Sequence, residues 1–273
     1  MTAGAELHGQ RFTTNQGTLQ LWRRGAGKVV LLLHDLGTSH ASFSGLVPHL
    51  VRAHHVCAAD LLGHGGSSRE TLDLSAANQT AALAEILVEL GFRGACAIGH
   101  GFGGSVAIRL AAALPDRIEK LVLIAAGSYR DGVPFVLRLL RSRIAWSLWG
   151  FLGPGARRRV VARLGGRASP ESASPERLDG FRTFAHWSAL GRAYRQNSSL
   201  EALAEMEELV ERYLARPTLA IWGTDDPAAP IEQARRAFQD RRNVRLIEIA
   251  GGSHVPHEDS PAIVAELILD FLR

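Results

Sequence analysis

Ala97-Ile98-Gly99-His100-Gly101-Phe102-Gly103-Gly104-Ser105 carries an apolar strand pattern through a glycine-rich turn into a helical one. The frame Gly99-x-Gly101-x-Gly103 fits the pattern G-x-S-x-G, in which a sharp strand-to-helix turn lifts one nucleophilic side chain above a parallel sheet. Glycine stands where that side chain belongs. At Gly99 and Gly103 a Cβ would meet the neighbouring strand or helix, and Gly104 lets the helix sit close. Gly101 is a different case. The central residue of such a turn is strained, at a cost on the order of 1–3 kcal/mol for a residue with a side chain, so glycine relieves strain and the fold tolerates it. Glycine-rich turns also follow strands in unrelated folds, so the weight of this reading comes from the rest of the chain.

Two downstream stretches supply it. Pro217 to Pro230, PTLAIWGTDDPAAP, is an apolar strand running into a loop rich in aspartate and proline, and a carboxylate belongs at that strand end. Val244 to Ile249 is another strand pattern, followed by Ala250-Gly251-Gly252-Ser253-His254-Val255-Pro256-His257-Glu258 and a helix-like run, with His254 just past the strand. Nucleophile, acid and histidine occur in this chain order in one large class of hydrolytic folds.

On these motifs the chain resembles the α/β-hydrolase superfamily over nearly its whole length, in the branch of cap-bearing esterases, C–C hydrolases and lactonases. The resemblance implies an acid at Asp226, because Trp222 and Pro230 set the register of W-G-x-x-D-x-x-x-P; Asp225 is the less favoured neighbour. It implies a base at His254 and a supporting place for His257. His34-Asp35-Leu36-Gly37 resembles the superfamily's H-G-x-G oxyanion loop and departs from it at Asp35. The implied donors are the backbone N–H groups of Leu36 and Phe102, which need no particular side chain. Asp35, His100 and His257 are candidates to modulate the site. An inward Asp35 carboxylate would oppose an oxyanion, and the expectation is that it points away and bonds the local backbone, as turn aspartates do. Asp60-Leu61-Leu62-Gly63-His64-Gly65-Gly66-Ser67 resembles an architectural loop of the same superfamily.

The 273 residues, 46% hydrophobic, suffice for one large core. Strands alternate with helical runs, predicting an α/β fold with a mostly parallel, eight-stranded sheet flanked by helices. An N-terminal hairpin is expected over Arg11 to Trp22, with strands at Val29 to Leu33, His55 to Ala59, Ala95 to Ile98, Leu121 to Ala125, Leu219 to Trp222 and Val244 to Ile249. Helices are expected at Ala76 to Leu90, Ser105 to Ala113, Ile231 to Phe238 and Ala262 to Leu272. Residues 1–128 and 217–273 form the predicted core domain. The βα rhythm stops between them, and residues 129–216 read as a helical cap over the substrate pocket.

From Tyr129 to Arg167 there are nine arginines and one acid, Asp131. Arg157-Arg158-Arg159 could meet an acidic substrate, a carrier protein or a membrane surface, but a solvated helix face is the favoured reading. Neither a signal peptide nor a transmembrane run is visible. Cys57 and Cys96 read as core residues of a protein in the reducing cytoplasm. The net charge of +4 comes without a nucleic-acid motif, and the eleven histidines show no metal-ligand spacing, so neither nucleic acid, metal nor cofactor is expected.

The expected partner is a small-molecule substrate. With no hydroxyl at position 101 a serine ester is excluded, leaving a His254–Asp226 dyad for general acid/base chemistry on a small, largely apolar carbonyl, ester or lactone compound. That chemistry is water attack, elimination, cyclisation or rearrangement, on a biosynthetic intermediate for example. The freed space matches roughly the 30 Å³ of a water molecule, which could stand there as the nucleophile. Two alternatives stay open: a serine hydrolase inactivated by a Ser-to-Gly change at position 101, and a non-catalytic small-molecule-binding protein.

Overall fold

The computed structural model describes residues 7–126, 141–151, 153, 155–156 and 183–273. Its centre is an eight-stranded sheet in the order β1-β2-β4-β3-β5-β6-β7-β8. The strands are β1 (His8–Thr14), β2 (Gly17–Arg24), β3 (Val29–Leu33), β4 (His55–Asp60), β5 (Ala95–His100), β6 (Ile118–Ile124), β7 (Thr218–Gly223) and β8 (Val244–Ile249). The hairpin β1–β2 pairs antiparallel, as β2 does with β4, and every later pairing is parallel.

The central strands explain themselves. Val29-Val30-Leu31-Leu32-Leu33 on β3, and every residue of β5 and β7, are buried. Continuous apolar runs of this kind suit parallel strands covered on both faces. On one face lie α2 (Ala76–Glu89), α3 (Phe102–Ala113), α6 (Leu200–Tyr213) and α7 (Ile231–Phe238), packing Leu83, Val106, Leu110, Met206 and Phe238 onto the sheet. On the other lie α1 (Val47–Leu50) and α9 (Pro261–Leu272), which contribute Val47, Leu50, Val264 and Ile268. Ser75 and Ser199 cap α2 and α6 by accepting from the N–H groups of Asn78 and Ala202.

The remaining helices are α4 (Arg143–Gly150) and α5 (Phe184–Asn197), which with α6 lie between β6 and β7 in the chain, and the short α8 (Pro256–Asp259). Trp146 of α4 stacks on Trp187 of α5, ring centres 4.2 Å apart, and Leu36 packs against this cluster beside Leu190, Trp149 and Tyr194. Arg109 of α3 bonds Glu205 of α6 at 2.7 Å. The Arg157-Arg158-Arg159 run lies outside the described residues. Among those described, no helix is long and apolar enough to cross a membrane. Cys57 and Cys96 are free and buried, and burial raises both thiols to about 12.

Most expected elements recur within a few residues. One difference matters for the site: α3 starts at Phe102 rather than Ser105. Helix geometry therefore begins at the residue after Gly101, and this decides what the site contains.

Candidate active site

Four loops at the C-terminal ends of β3, β5, β7 and β8 converge on one point. This is the edge of an open α/β sheet where ligands bind. After β5, Gly101 turns the chain with φ 50° and ψ −116°, a region that costs any residue bearing a Cβ. Its N–H donates to Ile124 O and its carbonyl accepts from Gly104 N, so the turn is pinned to β6 and to the first turn of α3. At Gly103 a Cβ would come within 2.1 Å of the Leu33 carbonyl, so β3 and α3 can approach only over glycine.

After β7, the Trp222 indole donates to Ala229 O at 2.7 Å and draws the loop back over the strand end. The loop holds Asp226 by one oxygen: Oδ1 accepts from the N–H groups of Ala228 and Ala229, both at 2.8 Å. Its other oxygen, Oδ2, faces His254 Nδ1 at 2.8 Å. Asp225 instead accepts from the Thr224 hydroxyl on the exposed side of the loop. Beyond β8, Ser253 anchors the histidine loop, donating from its hydroxyl to Asp259 and accepting from Val255 N.

Asp35 overturns an expectation. Its carboxylate points inward: Oδ1 accepts from Phe102 N–H at 2.7 Å, and Oδ2 lies 3.4 Å from His254 Nε2. The reason is electrostatic. Phe102 opens α3, so its N–H lacks a partner within the helix and sits at the positive end of the helix dipole. A carboxylate satisfies it better than a turn bond would. The expected local bonding is made by the Asp35 carbonyl instead, which accepts from His34 Nδ1–H at 2.7 Å, Thr38 N at 3.3 Å and the Thr38 hydroxyl at 2.9 Å. His34 is braced in turn by Leu61 N–H on its Nε2, a role the sequence did not disclose.

Asp35 and Gly101 exclude one another sterically. A Cβ at position 101 would lie 2.3 Å from both Cγ and Oδ1 of Asp35 and 2.8 Å from Oδ2. The space assigned to a water in the sequence reading is therefore taken by a carboxylate. Phe102, read as a free oxyanion donor, already has its acceptor. Leu36, the other expected donor, turns its side chain to the tryptophan cluster.

These contacts set the charges. Burial opposes ionisation of His254, but the carboxylates of Asp226 and Asp35 outweigh it and push its pKa up to about 10. Burial likewise opposes the Asp35 charge, and His254, His100 and the Phe102 N–H outweigh it, holding the carboxyl well below the usual range. At neutral pH the site is an imidazolium between two carboxylates. His100, 1% exposed, is pushed by burial down to about 4 and is neutral; its Nε2–H donates to the His254 carbonyl at 2.9 Å. It therefore steadies the backbone of His254. His257, on α8, packs between the rings of Phe43 and His100.

Asp35, His100 and His254 bring ligand atoms within 4.8 Å of one another. The arrangement suits an ion pair, because His254 Nε2 carries a proton toward Asp35, while His100 Nδ1 is buried without a hydrogen-bond partner among the described residues. Asp60, by contrast, is architectural. Fully buried, it accepts from His40 N and Nδ1, Trp22 Nε1 and Gly66 N, tying β2 and the His40 turn to its own loop.

Known proteins share this framework. The chain is 28% identical to the uncharacterized protein Rv2715 of Mycobacterium tuberculosis, over 96% of this chain and 80% of that one. It is 29% identical to the magnesium-chelatase 30 kDa subunit of Rhodobacter capsulatus, over 90% and 87% of the two chains. Among solved structures, an alpha/beta hydrolase fold protein from Burkholderia ambifaria superposes with a TM-score of 0.83 at 23% identity, over 96% and 97% of the chains. The epoxide hydrolase CorEH superposes with a TM-score of 0.81 at 22% identity, over 98% and 100%. The model of the alpha/beta hydrolase family matches residues 30–267, and to that family this chain belongs.

Proposed function

We propose that the chain is an enzyme in which His254, oriented by Asp226, moves protons for a reaction at the Asp35 carboxylate on a small, largely apolar substrate, with no serine ester formed. The observation that carries this reading is the position of Asp35, against the Phe102 N–H and 3.4 Å from His254 Nε2. The acid/base role expected of the dyad stands, with its order changed. A histidine cationic up to about pH 10 acts first as an acid, and becomes a base only after giving its proton away. Asp226, held by two backbone N–H groups and bonded to Nδ1, keeps the imidazole aimed with Nε2 toward the reacting atoms.

The same geometry counts against a serine hydrolase disabled at one position. A serine at 101 would collide with Asp35 as placed here, so reverting position 101 alone does not rebuild a hydroxyl nucleophile. It also disfavours acyl transfer to an external nucleophile, since the oxyanion donor Phe102 N–H is already bonded. Helices α4, α5 and α6 serve, in this reading, in the lid that covers the pocket and excludes water. Its Trp146, Trp187 and Trp149 cluster meets the Asp35 loop through Leu36 and supplies the apolar wall.

The test is a substrate panel of nitrophenyl esters, lactones and epoxides, run on the natural chain, His254→Ala and Asp226→Asn. Turnover found for the natural chain should fall by about 10³-fold or more in His254→Ala, the scale on which a proton-handling member of a catalytic unit is lost. Equal turnover in all three proteins would sink the proposal.

A further inference from the structure

We propose that Asp35 is itself the covalent nucleophile, acting on a strained cyclic ether, and that Phe102 N–H is an oxyanion donor for the enzyme's own ester rather than for the substrate. This rests on the reading of His254 and Asp226 as the proton-handling pair and adds to it the bond that forms. The position argues for it first. The Asp35 carboxylate fills the space an elbow side chain would enter, although it arrives from the loop after β3 rather than from the elbow. It is held as a nucleophile must be: the backbone carbonyl is tied by three donors, Oδ1 is fixed by Phe102, and Oδ2 is turned toward the proton donor. It is also reachable, since its side chain keeps 21% of its exposure and that of His254 keeps 13%.

The chemistry of a carboxylate selects the substrate class. Attack on an ester would give an anhydride, less stable than either partner. Attack on the sp³ carbon of an epoxide gives a stable ester and relieves ring strain, and it needs a proton for the departing alkoxide rather than an oxyanion hole. In the first step an Asp35 oxygen bonds to the epoxide carbon, the C–O bond breaks, and the alkoxide takes the proton of His254 Nε2. In the second, neutral His254 removes a proton from water, and the hydroxide adds to Asp35 Cγ. The negative charge of that adduct develops on Oδ1, which the Phe102 N–H already holds at 2.7 Å. Collapse expels the diol oxygen, which is protonated from the new carboxylic acid. The carboxylate and the imidazolium are restored. Every proton is returned, and no co-reactant beyond water is consumed.

The experiment uses styrene oxide in 18O-enriched water and reads the label on the Asp35-containing peptide by mass spectrometry. Repeated turnover should place solvent oxygen in Asp35, and in a single turnover the diol should carry unlabelled oxygen from the enzyme. Acid quench of the natural chain during the first turnover should trap a substrate-mass adduct on Asp35, whereas His254→Gln, which can neither protonate the departing alkoxide nor deprotonate water, should form and release that adduct about 10²-fold more slowly. Asp35→Asn should form no adduct. Label in the diol on the first turnover, an adduct on another residue, or no adduct and no diol with styrene oxide would each overturn the assignment. The two readings fail separately. Solvent oxygen going straight to diol with His254→Gln inactive removes the nucleophile and keeps the dyad, whereas an Asp35 ester released by His254→Gln at the natural rate removes the dyad and keeps the nucleophile.

Discussion

A single absent Cβ decides which side chain fills the space above the turn between β5 and α3. Gly101 sits at φ 50° with the Asp35 carboxylate in its steric shadow, so Gly101→Ser faces backbone strain and a clash at once. Gly101→Ser should lose on the order of 1–3 kcal/mol of stability in urea unfolding, from the strain alone, and gain no activity on a nitrophenyl ester. The double variant Asp35→Gly with Gly101→Ser removes the clash and frees the Phe102 N–H, and it should show a burst of nitrophenol that neither single variant gives. A burst from Gly101→Ser alone would show that Asp35 yields readily. The pH behaviour follows from the same residues. The proton on His254 persists to about pH 10, above its ordinary 6.5, so its ion pairs add stability that is complete below about pH 6.5 and lost as pH rises through about 10. Asp35, depressed below its ordinary 3.8, adds stability present above that value and lost as pH falls below it. Activity that needs the cation and the anion together should stay level through neutrality and fall above about pH 10, measured as kcat/KM against pH. A limb near 6.5, lost at acid pH, would mean that His254 rests as a base.

Elements were more legible than orientations. The runs Val29 to Leu33 and Val244 to Ile249 appear as strands with the expected bounds, because short runs rich in valine, leucine and isoleucine, bounded by turn residues, leave little else for those segments to do. Asp226 and His254 could be placed by register, since Trp222 and the strand ends fix where each loop begins, and the two side chains meet at 2.8 Å. Asp35 could not be placed this way. Its direction depends on the start of α3 and on a histidine more than two hundred positions away in the chain, and local turn chemistry contains neither. Early helical onset at Phe102 was equally hidden, because glycines at 103 and 104 weaken any helical signal although close packing demands them. The Asp60 loop makes a separate prediction at this scale. Asp60→Asn turns one acceptor oxygen into a donor among four donors, and should cost about 1–3 kcal/mol in urea unfolding. No measurable loss would mean that the buried network relaxes freely.

At the scale of the whole molecule, the proposed function has the sheet edge supply the chemistry and α4, α5 and α6 supply the surroundings. The two are joined by the Arg109–Glu205 pair and by Leu36 under the tryptophans. Exposed at Glu205, the ion pair contributes little, whereas removing a stacked, 8% exposed indole should loosen α4 and α5 together. Trp146→Ala should raise the rate of limited proteolysis within α4 and α5 several-fold while the sheet's own unfolding midpoint moves little; an unchanged cleavage rate would show that the tryptophans do not hold the two helices. The steric exclusion between Asp35 and Gly101 reaches beyond one molecule. Neither residue can change alone without leaving an overfilled or an empty reacting position, so the two should be inherited as a pair. Relatives with glycine in the oxyanion loop should keep a side chain at the elbow, and those with a carboxylate there should keep glycine. Such paired inheritance would mark a lineage that fluorophosphonate reagents, which report active serines, pass over in silence.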